Sequence, residues 1–241
     1  MPHMTVGLPP QYKMEGMGRL WSEDPNDAKY RPPQKLVRQA EAAPRAYRYH
    51  IAGPRWDQGN TPHCVEYSTR HLMEANPARN NSRGIPRGEI YNWCQAHDEW
   101  AGVAYDGTSV RAAMKYLLEH GFIERYEWAE TVEQVHAHLI GRGVALFGTT
   151  WTSNMSYVDD YNVARATGAN WGGHAYMVRG GNLNKLDPVT RIRGMGKIRN
   201  SWDEWGNEGT GEAWITYADI QKLINDYGEA ALPVEVKKLA A

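Results

Sequence analysis

The sequence contains 241 residues, of which 41% are apolar and 23% charged, and its net charge at pH 7 is −1. This balance gives no electrostatic basis for binding nucleic acid or an anionic membrane, so neither is expected as a partner. No apolar stretch is long enough to cross a bilayer, and the first residues lack a secretory signal pattern. We therefore expect a cytoplasmic or virion-associated protein.

The beginning of the chain has the composition of an irregular segment. Residues 1–45 are rich in proline, arginine and polar residues and show no sustained hydrophobic period. Proline lacks the N–H that a helix interior or a central strand requires. We predict an extended N-terminal arm over residues 1–45, a candidate docking segment for a protein partner, and one domain over residues 46–241.

Helical periods dominate the next part of the chain. Apolar residues recur there at spacings of three and four in segments bounded by capping or helix-stopping residues. The predicted helices run from Cys64 to about Ala75, from just after Pro86 through Cys94, from the N-cap Ser109 to Gly121, and from the capping-box residue Thr131 to about Gly141.

Short apolar runs replace the helical periods after residue 142 and predict strands. The predicted strands cover residues 144–148, 175–179, 191–199 and 212–216, and a last helix follows over residues 217–226. This order predicts the α+β class with a cleft between two lobes. We place the helical lobe at about residues 60–130 and the strand-rich lobe at about residues 142–230.

Cys64 has the setting of a nucleophile. A thiol attacks as the thiolate, which a helix N-terminus or a neighbouring imidazolium favours. Cys64 opens a predicted helix directly after Thr61, Pro62 and His63. The Gln58 amide, six residues earlier, and the Cys64 backbone N–H form a candidate pair of donors for a developing oxyanion.

A base and a group that orients it are the next requirement. His174 follows Gly173 at the entry to a predicted strand, where glycine lets a substrate backbone approach closely. Asn200 ends another strand, so its amide oxygen can accept the imidazole N–H, and Trp202 would shield that bond from water. We expect Cys64 and His174 to meet across a solvent-filled crevice, with Asn200 behind the ring.

This order of Gln, Cys, His and Asn resembles the papain-like (C1) cysteine peptidase superfamily. The resemblance covers about residues 45–225, and three blocks carry it: WDQGNTPHCVEYS, WGGHAYMVRGGN and IRNSWDEWGNEGTGEAWI. A fourth block, DGTSVRAAMKYLLEHGFI, is similar to a segment common in bacterial relatives and favours the bacterial or phage-type branch of the superfamily. It implies a papain-like two-lobe fold with a helical N-terminal lobe, a β-barrel-like C-terminal lobe and the active-site cleft between them. It also implies a peptidase that hydrolyses peptide bonds of a peptide or protein substrate through a thioester, without cofactor or metal.

The resemblance assigns roles to single residues. Cys64 matches the family's nucleophile and His174 its base. Asn200 matches the residue that orients the base, and Gln58 matches the oxyanion donor. The implied substrate-binding residues are Asp106 and Gly107, at a glycine-rich edge for the substrate backbone, together with Gly173, Trp202 and, on the leaving-group side, Trp205.

Some residues depart from the family pattern and keep alternatives open. Pro62-His63 and Val65 stand where the family has Gly-Ser and an aromatic residue. The alternatives are a catalytically silent binding module with the papain fold and a lytic peptidase acting on cell-wall peptides. The arm is shorter than a typical inhibitory prosegment, which favours a docking arm over a removable inhibitor. Cys94 is interpreted as a core residue, although a Cys64–Cys94 disulfide stays open.

Overall fold

A computed structural model describes residues 15–41, 45–78, 80–102 and 104–234. Within these ranges the α-helices are α1 Gln34–Glu41, α2 Cys64–Glu74, α3 Glu89–His97, α4 Val110–Glu119, α5 Val132–Gly141, α6 Ser153–Ser156 and α7 Tyr217–Asn225. Short 3₁₀ helices cover Pro25–Tyr30, Ser82–Gly84 and Asn207–Gly209.

The strands are β1 Arg19–Leu20, β2 Ala46–Arg48, β3 Thr108–Ser109, β4 Arg125–Trp128, β5 Ala145–Thr152, β6 Val163–Ala164, β7 Asn170–Leu186, β8 Arg193–Arg199, β9 Glu212–Thr216 and β10 Glu229–Val234. Among the described residues, eight of these strands form one mixed sheet in the order β4-β10-β5-β7-β8-β9-β6, with β2 paired to the later part of β7. The strands β1 and β3 form a separate parallel pair.

The long strand β7 separates two hydrophobic cores. Successive side chains of a strand point to opposite faces. Ala175 and Met177 therefore join one core with α2, α3 and α4, whereas Tyr176 and Val178 join a second core with α5 and α7. His174 belongs to the same strand.

The helix boundaries confirm the predictions made from capping residues. The Ser109 hydroxyl accepts a hydrogen bond from the Ala112 N–H at the start of α4. Thr131 and Gln134 form the predicted capping box of α5, which ends at Gly141. These elements were predictable because a cap is a local interaction between residues three positions apart.

The predicted extended arm is wrong for the described part of residues 1–45. This part contains β1, a 3₁₀ helix and α1, while residues 1–14 and 42–44 lie outside the described residues. The helix α1 is possible because Pro33 immediately precedes its first turn, where a missing N–H removes no helical hydrogen bond. The boundary between arm and domain at residue 45 stays a prediction.

The sheet is open, which corrects the barrel-like form implied by the resemblance. In the described part of the chain, its two edge strands are β4 and β6. The strand β4 pairs antiparallel with β10, and β6 pairs parallel with β9. These ends belong to opposite edges of the sheet, so the sheet does not close on itself. No helix in the described ranges is long and apolar enough to cross a membrane.

Candidate active site

Cys64 is the first residue of α2 and is completely buried. The backbone N–H groups of Ala175, Gly18 and Val65 act on the sulfur and lower the pKa of its thiol. Ala175 belongs to β7, and its carbonyl accepts the Ser68 hydroxyl of α2 at 2.9 Å. The helix is thereby fixed with its N-terminus against the strand that carries His174.

Burial controls the protonation of the thiol. Removal from water raises the pKa of Cys64 to about 11, against the opposing effect of the three backbone hydrogen bonds and the Arg19 charge. A thiolate is disfavoured when it leaves water, and these donors only partly replace its solvation. In this arrangement Cys64 is therefore a neutral thiol at physiological pH.

His174 and Asn200 form the predicted pair. The ring Nε2 lies 2.8 Å from Asn200 Oδ1, which also accepts the Ser201 backbone N–H at 2.8 Å. Since the Oδ1 atom accepts, the ring carries its proton on Nε2. Trp202 stacks on the imidazole with centroids 4.5 Å apart and planes at 19°, and it covers the His–Asn bond as expected.

His174 is neutral in this arrangement as well. Burial lowers the pKa of His174 to about 4, which the bond to Asn200 opposes. Its Nδ1 atom has no hydrogen-bond partner among the described residues. The structure thus places the ring beside the Ala175–Cys64 contact without a hydrogen bond to the thiol, and the expected solvent-filled crevice is closed.

The Gln58 side chain has all its hydrogen-bonding groups engaged. Its oxygen accepts the Ser201 hydroxyl at 2.7 Å, which fixes the amide plane. Its nitrogen donates to the carbonyls of Thr61 and Gly16, both at 2.8 Å. A backbone carbonyl of the chain's own N-terminal part therefore lies at the amide that was predicted to hold an oxyanion.

Residues 16–20, which we name the cleft segment, cover the site. Gly18 accepts a hydrogen bond from the Thr108 N–H at 2.8 Å, and β1 pairs with β3 from Arg19 onwards. A Cβ on Gly107 would lie 2.3 Å from the Gly18 oxygen, and one on Gly173 would lie 2.0 Å from the Arg19 oxygen. The cleft segment therefore lies along the edge lined by Gly107 and Gly173, and the binding of a substrate backbone at this glycine-lined edge stays a prediction.

Other predicted residues have different positions. Asp106 is exposed, and its charge acts to raise the pKa of His63. The His63 ring stacks on Tyr91 with ring centroids 3.8 Å apart. Burial lowers the pKa of His63, so this residue supplies no fixed positive charge. Trp205 is buried and donates to the Met155 carbonyl at 2.9 Å. Its place on the leaving-group side of the cleft stays a prediction.

The two cysteines are free thiols, so the disulfide left open by the sequence is absent between these described residues. Cys94 is buried in the helical core, as predicted, and burial raises its pKa well above the usual thiol value. Cys64 differs from Cys94 in that backbone N–H groups and the Arg19 charge lower the pKa of its thiol, whereas the charges that act on Cys94 raise it further.

Sequence analysis missed the residues that cover and support the site. The pair Gly16 and Gly18, spaced by one residue inside the arm, was the available signal for a close backbone approach. Trp151 was missed because its contact with His174, at 4.7 Å between ring centroids, joins neighbouring strands of the sheet. Ser201 was missed because its hydroxyl contacts Gln58, which lies 143 residues away in the sequence.

The fold is similar to that of solved cysteine proteases. Xylellain, a cysteine protease from Xylella fastidiosa, is 17% identical with a TM-score of 0.63, and the match covers 97% of this chain and 100% of that chain. The cysteine protease and lectin-like domains of Cwp84, a surface layer associated protein of Clostridium difficile, are 16% identical with a TM-score of 0.59, over 82% of this chain and 53% of that chain.

A plant protein has a comparable score. The proform of Amb a 11, a cysteine protease and ragweed pollen allergen, is 13% identical with a TM-score of 0.58, over 80% of this chain and 67% of that chain. The chain therefore has the papain-like two-lobe cysteine protease fold. Since bacterial and plant proteins both match, the bacterial or phage-type branch stays a prediction. No family model and no curated protein match the sequence.

Proposed function

We propose that this chain is a cysteine-type peptidase with Cys64 as nucleophile and His174 as base. The observation that supports the proposal is the convergence of two contacts on adjacent residues of β7. His174 is hydrogen-bonded to Asn200, and the next residue, Ala175, contacts the Cys64 sulfur. A thiol, an imidazole and an amide in this order are the components of nucleophilic acyl transfer.

The proposed reaction begins when the cleft segment leaves and water and substrate enter. The Cys64 proton moves to His174 Nδ1, and the thiolate attacks the carbonyl carbon of the scissile peptide bond. The Cys64 N–H and Gln58 stabilise the oxyanion, the latter after it loses the Gly16 carbonyl. His174 protonates the leaving amine, and the thioester is then hydrolysed by a water molecule that His174 deprotonates.

One observation favours a second candidate function, a silent binding module. The thiol is completely buried and its pKa is raised to about 11, which is the state of an unreactive core cysteine. A module of this kind would bind peptides at the glycine-lined edge without cleaving them. The two candidates differ in whether Cys64 changes any substrate covalently.

A peptide-library digest with the full chain tests the proposal. We expect new peptide termini with the wild type, none with Cys64→Ala, and an unchanged cleavage pattern with the control Cys94→Ala. A parallel digest of purified peptidoglycan assigns the substrate to general or cell-wall peptides. Cleavage that survives in Cys64→Ala would contradict the proposed nucleophile, and binding without cleavage by the wild type would support the silent module.

A further inference from the structure

One face of β8 and β9 carries a cluster of charged side chains that the proposed peptidase chemistry does not use. Lys197 and Arg199 alternate along β8, and across β9 they pair with Trp214 and Glu212. Because alternate residues of a strand share a face, these four side chains lie on one side of the sheet. Ile198, between the two cations, belongs to the second hydrophobic core on the opposite side.

Positive charge exceeds negative charge in this cluster. Three cations approach Glu212: Arg179 Nη1 donates a hydrogen bond to Oε1, Arg199 Nη1 lies 3.7 Å from the same oxygen, and Lys197 Nζ lies 3.9 Å from Oε2. The last two distances exceed those of N–H···O hydrogen bonds. The side chains of Lys197 and Arg199 are each only 8% exposed. Three positive groups against one carboxylate leave a net charge of +2 at a place from which most water is excluded.

Neighbouring cations add to this excess. Lys185 Nζ and Lys197 Nζ lie 4.6 and 5.2 Å from the centroid of the Trp214 ring, which attracts cations but carries no negative charge. Burial and neighbouring cations, Arg48 among them, lower the pKa of Lys197 to about 8, although Glu212 opposes this shift. The ammonium group is therefore short of negative partners.

Arg199 has donors that no described residue accepts. Its Nη1 donates to the Thr210 carbonyl at 2.7 Å. In the described part of the chain its buried Nε has no hydrogen-bond partner, and its Nη2 donates to no residue. Asp203 acts on Arg199 by its charge, but it lies 3.9 Å from Arg55. The Nε–Nη2 edge of a guanidinium can bind two oxygens of one phosphate in parallel.

A second buried donor lies in the same region. His71 is fully buried, and its Nε2 accepts the Trp56 backbone N–H at 3.1 Å, so the ring proton is on Nδ1. This Nδ1 has no partner among the described residues. Burial and then the charges of Arg199 and Arg179 lower the pKa of His71 well below its usual value, so these arginines act on a neutral ring. Since buried donors are normally paired, the two unpaired donors beside two arginines indicate a ligand rich in acceptor oxygens.

We propose that Arg179, Lys197 and Arg199 form a binding site for a phosphate group that carries two negative charges. Such a dianion neutralises the net charge of the cluster, and its oxygens accept hydrogen bonds from the Nε–Nη2 edge of Arg199 and from Lys197 Nζ. The ligand is a small phosphate, either inorganic or the terminal monoester of a small molecule. The site does not depend on the proposed peptidase function.

Isothermal titration calorimetry of the full chain with inorganic phosphate, at neutral pH and constant ionic strength in chloride, tests the site. We expect saturable binding that Lys197→Gln weakens by about tenfold or more, the effect of one lost charge-assisted hydrogen bond. Arg199→Lys keeps the charge but loses the planar fork and should weaken binding to a similar extent. If Lys197→Gln does not fold, Arg199→Lys decides. The exposed control Lys35→Gln should bind like the wild type. Absence of saturable binding by the wild type, or undiminished binding by the site variants, would overturn the proposal.

Glu212→Gln should have the opposite effect. Loss of the carboxylate removes the anion that competes with phosphate for Arg179 and Arg199, so the affinity should rise by about threefold or more. A purely structural ion cluster gives no reason for tighter phosphate binding when it is disrupted. Equal or weaker binding by folded Glu212→Gln, with folding checked by thermal denaturation, would contradict the proposal.

Two phosphate esters identify the form of the ligand. Methyl phosphate is largely a dianion at neutral pH, because its second pKa is about 6, whereas dimethyl phosphate carries one charge. We expect dimethyl phosphate to bind about tenfold more weakly or worse than inorganic phosphate, since it supplies half the charge. Methyl phosphate that binds as tightly as inorganic phosphate would assign the site to monoesters, and clearly weaker binding would assign it to the free ion. Equal binding of dimethyl phosphate would overturn the dianion site.

Discussion

At Cys64 and His174 burial favours the neutral form of both groups, since it raises the pKa of the thiol and lowers that of the imidazole. A reactive thiolate–imidazolium pair needs the opposite charges. The polar partners that would support such a pair are present, namely the backbone donors at the sulfur and Asn200 at the ring. Since Gly18 and Arg19 of the cleft segment also lower the pKa of Cys64, it is the removal of the thiol and the imidazole from water that keeps both groups neutral.

Alkylation of Cys64 should report this covering through its pH dependence. The thiolate is the reacting form, so labelling of the full chain by iodoacetamide should be slow at neutral pH and should rise towards a midpoint near pH 11, the raised pKa of Cys64. Mass spectrometry of the labelled Cys64 peptide across pH measures the midpoint. A midpoint at or below the free-cysteine value of about 8.5 would show that the thiol is not desolvated.

At the scale of elements, a buried ion pair joins α2 to the loop that leads into α3. Glu66 binds Arg70 at 2.7 Å, and both side chains are fully buried. Glu66 also accepts the N–H groups of Gly88 and Tyr91, while Arg70 donates to the carbonyls of Ser82, Ile85 and Pro86. The position of the helix that carries Cys64 thus depends on this pair.

Loss of one partner should destabilise the fold. Arg70→Met leaves the Glu66 carboxylate buried without its cation, and we expect the free energy of unfolding to fall by about 3–5 kcal/mol. Arg31→Met is a matched control, because its ion pair with Glu130 is about half exposed and such a pair contributes about 0–1 kcal/mol. Urea denaturation of both variants measures the difference. Similar small losses in both would contradict the structural role of the pair.

The cleft segment offers a second prediction at this scale. In Gly18→Ala the new Cβ would lie 1.8 Å from the Pro62 oxygen, which is backbone and cannot yield. The segment should therefore move away from Cys64, and iodoacetamide labelling at neutral pH should become about tenfold faster or more. Gly84→Ala, where a Cβ meets nothing within 4 Å, is the control. Unchanged labelling in folded Gly18→Ala would show that another element covers the thiol.

The elements differ in how far the sequence predicted them. The helices α2, α4 and α5 were predicted because their caps and apolar periods are local. By contrast, β10 was missed, since its alanines and Pro233 have no strand pattern and its order comes from pairing with β4 and β5. The strand β7 extends beyond residues 175–179 because β2 and β8 pair with its polar second half.

At the scale of the whole molecule, Trp151 connects the second core to the site. It is fully buried, and its ring lies 4.7 Å from His174, 5.8 Å from Trp205 and 5.6 Å from Tyr176. Its Nε1 donates to the Ser156 hydroxyl at 2.8 Å. The base is therefore held by the same packing that stabilises the strand-rich part of the chain.

Truncation of this residue should affect stability strongly. Trp151→Ala leaves a large cavity, and we expect a loss of about 3–5 kcal/mol in the free energy of unfolding. Trp100→Ala, at a partly exposed position, should cost clearly less. Chemical denaturation followed by circular dichroism compares the two. A loss below about 1 kcal/mol for Trp151→Ala would contradict its place in the core.

For the molecule as a whole, the fold class followed from the three motif blocks, and the His174–Asn200 contact was anticipated from their order. The covering of the site was not anticipated, because it depends on contacts of residues 16–20 with residues far away in the sequence. Thr108 pairs with this segment from about 90 residues away, and Gly173 lies against it from about 155 residues away. Nor did any local pattern link Arg19 to Glu229. Contacts of this range depend on the assembled fold.

Labelling by an epoxysuccinyl peptide is the measurement that tests the central claim most directly, since the reagent reacts with a thiolate activated by an imidazole. In full-length Gly18→Ala we predict one adduct per chain, on Cys64 and not on Cys94, and none after the additional substitution His174→Ala. An adduct that forms equally without His174, or no adduct on folded Gly18→Ala, would contradict a Cys64–His174 nucleophile.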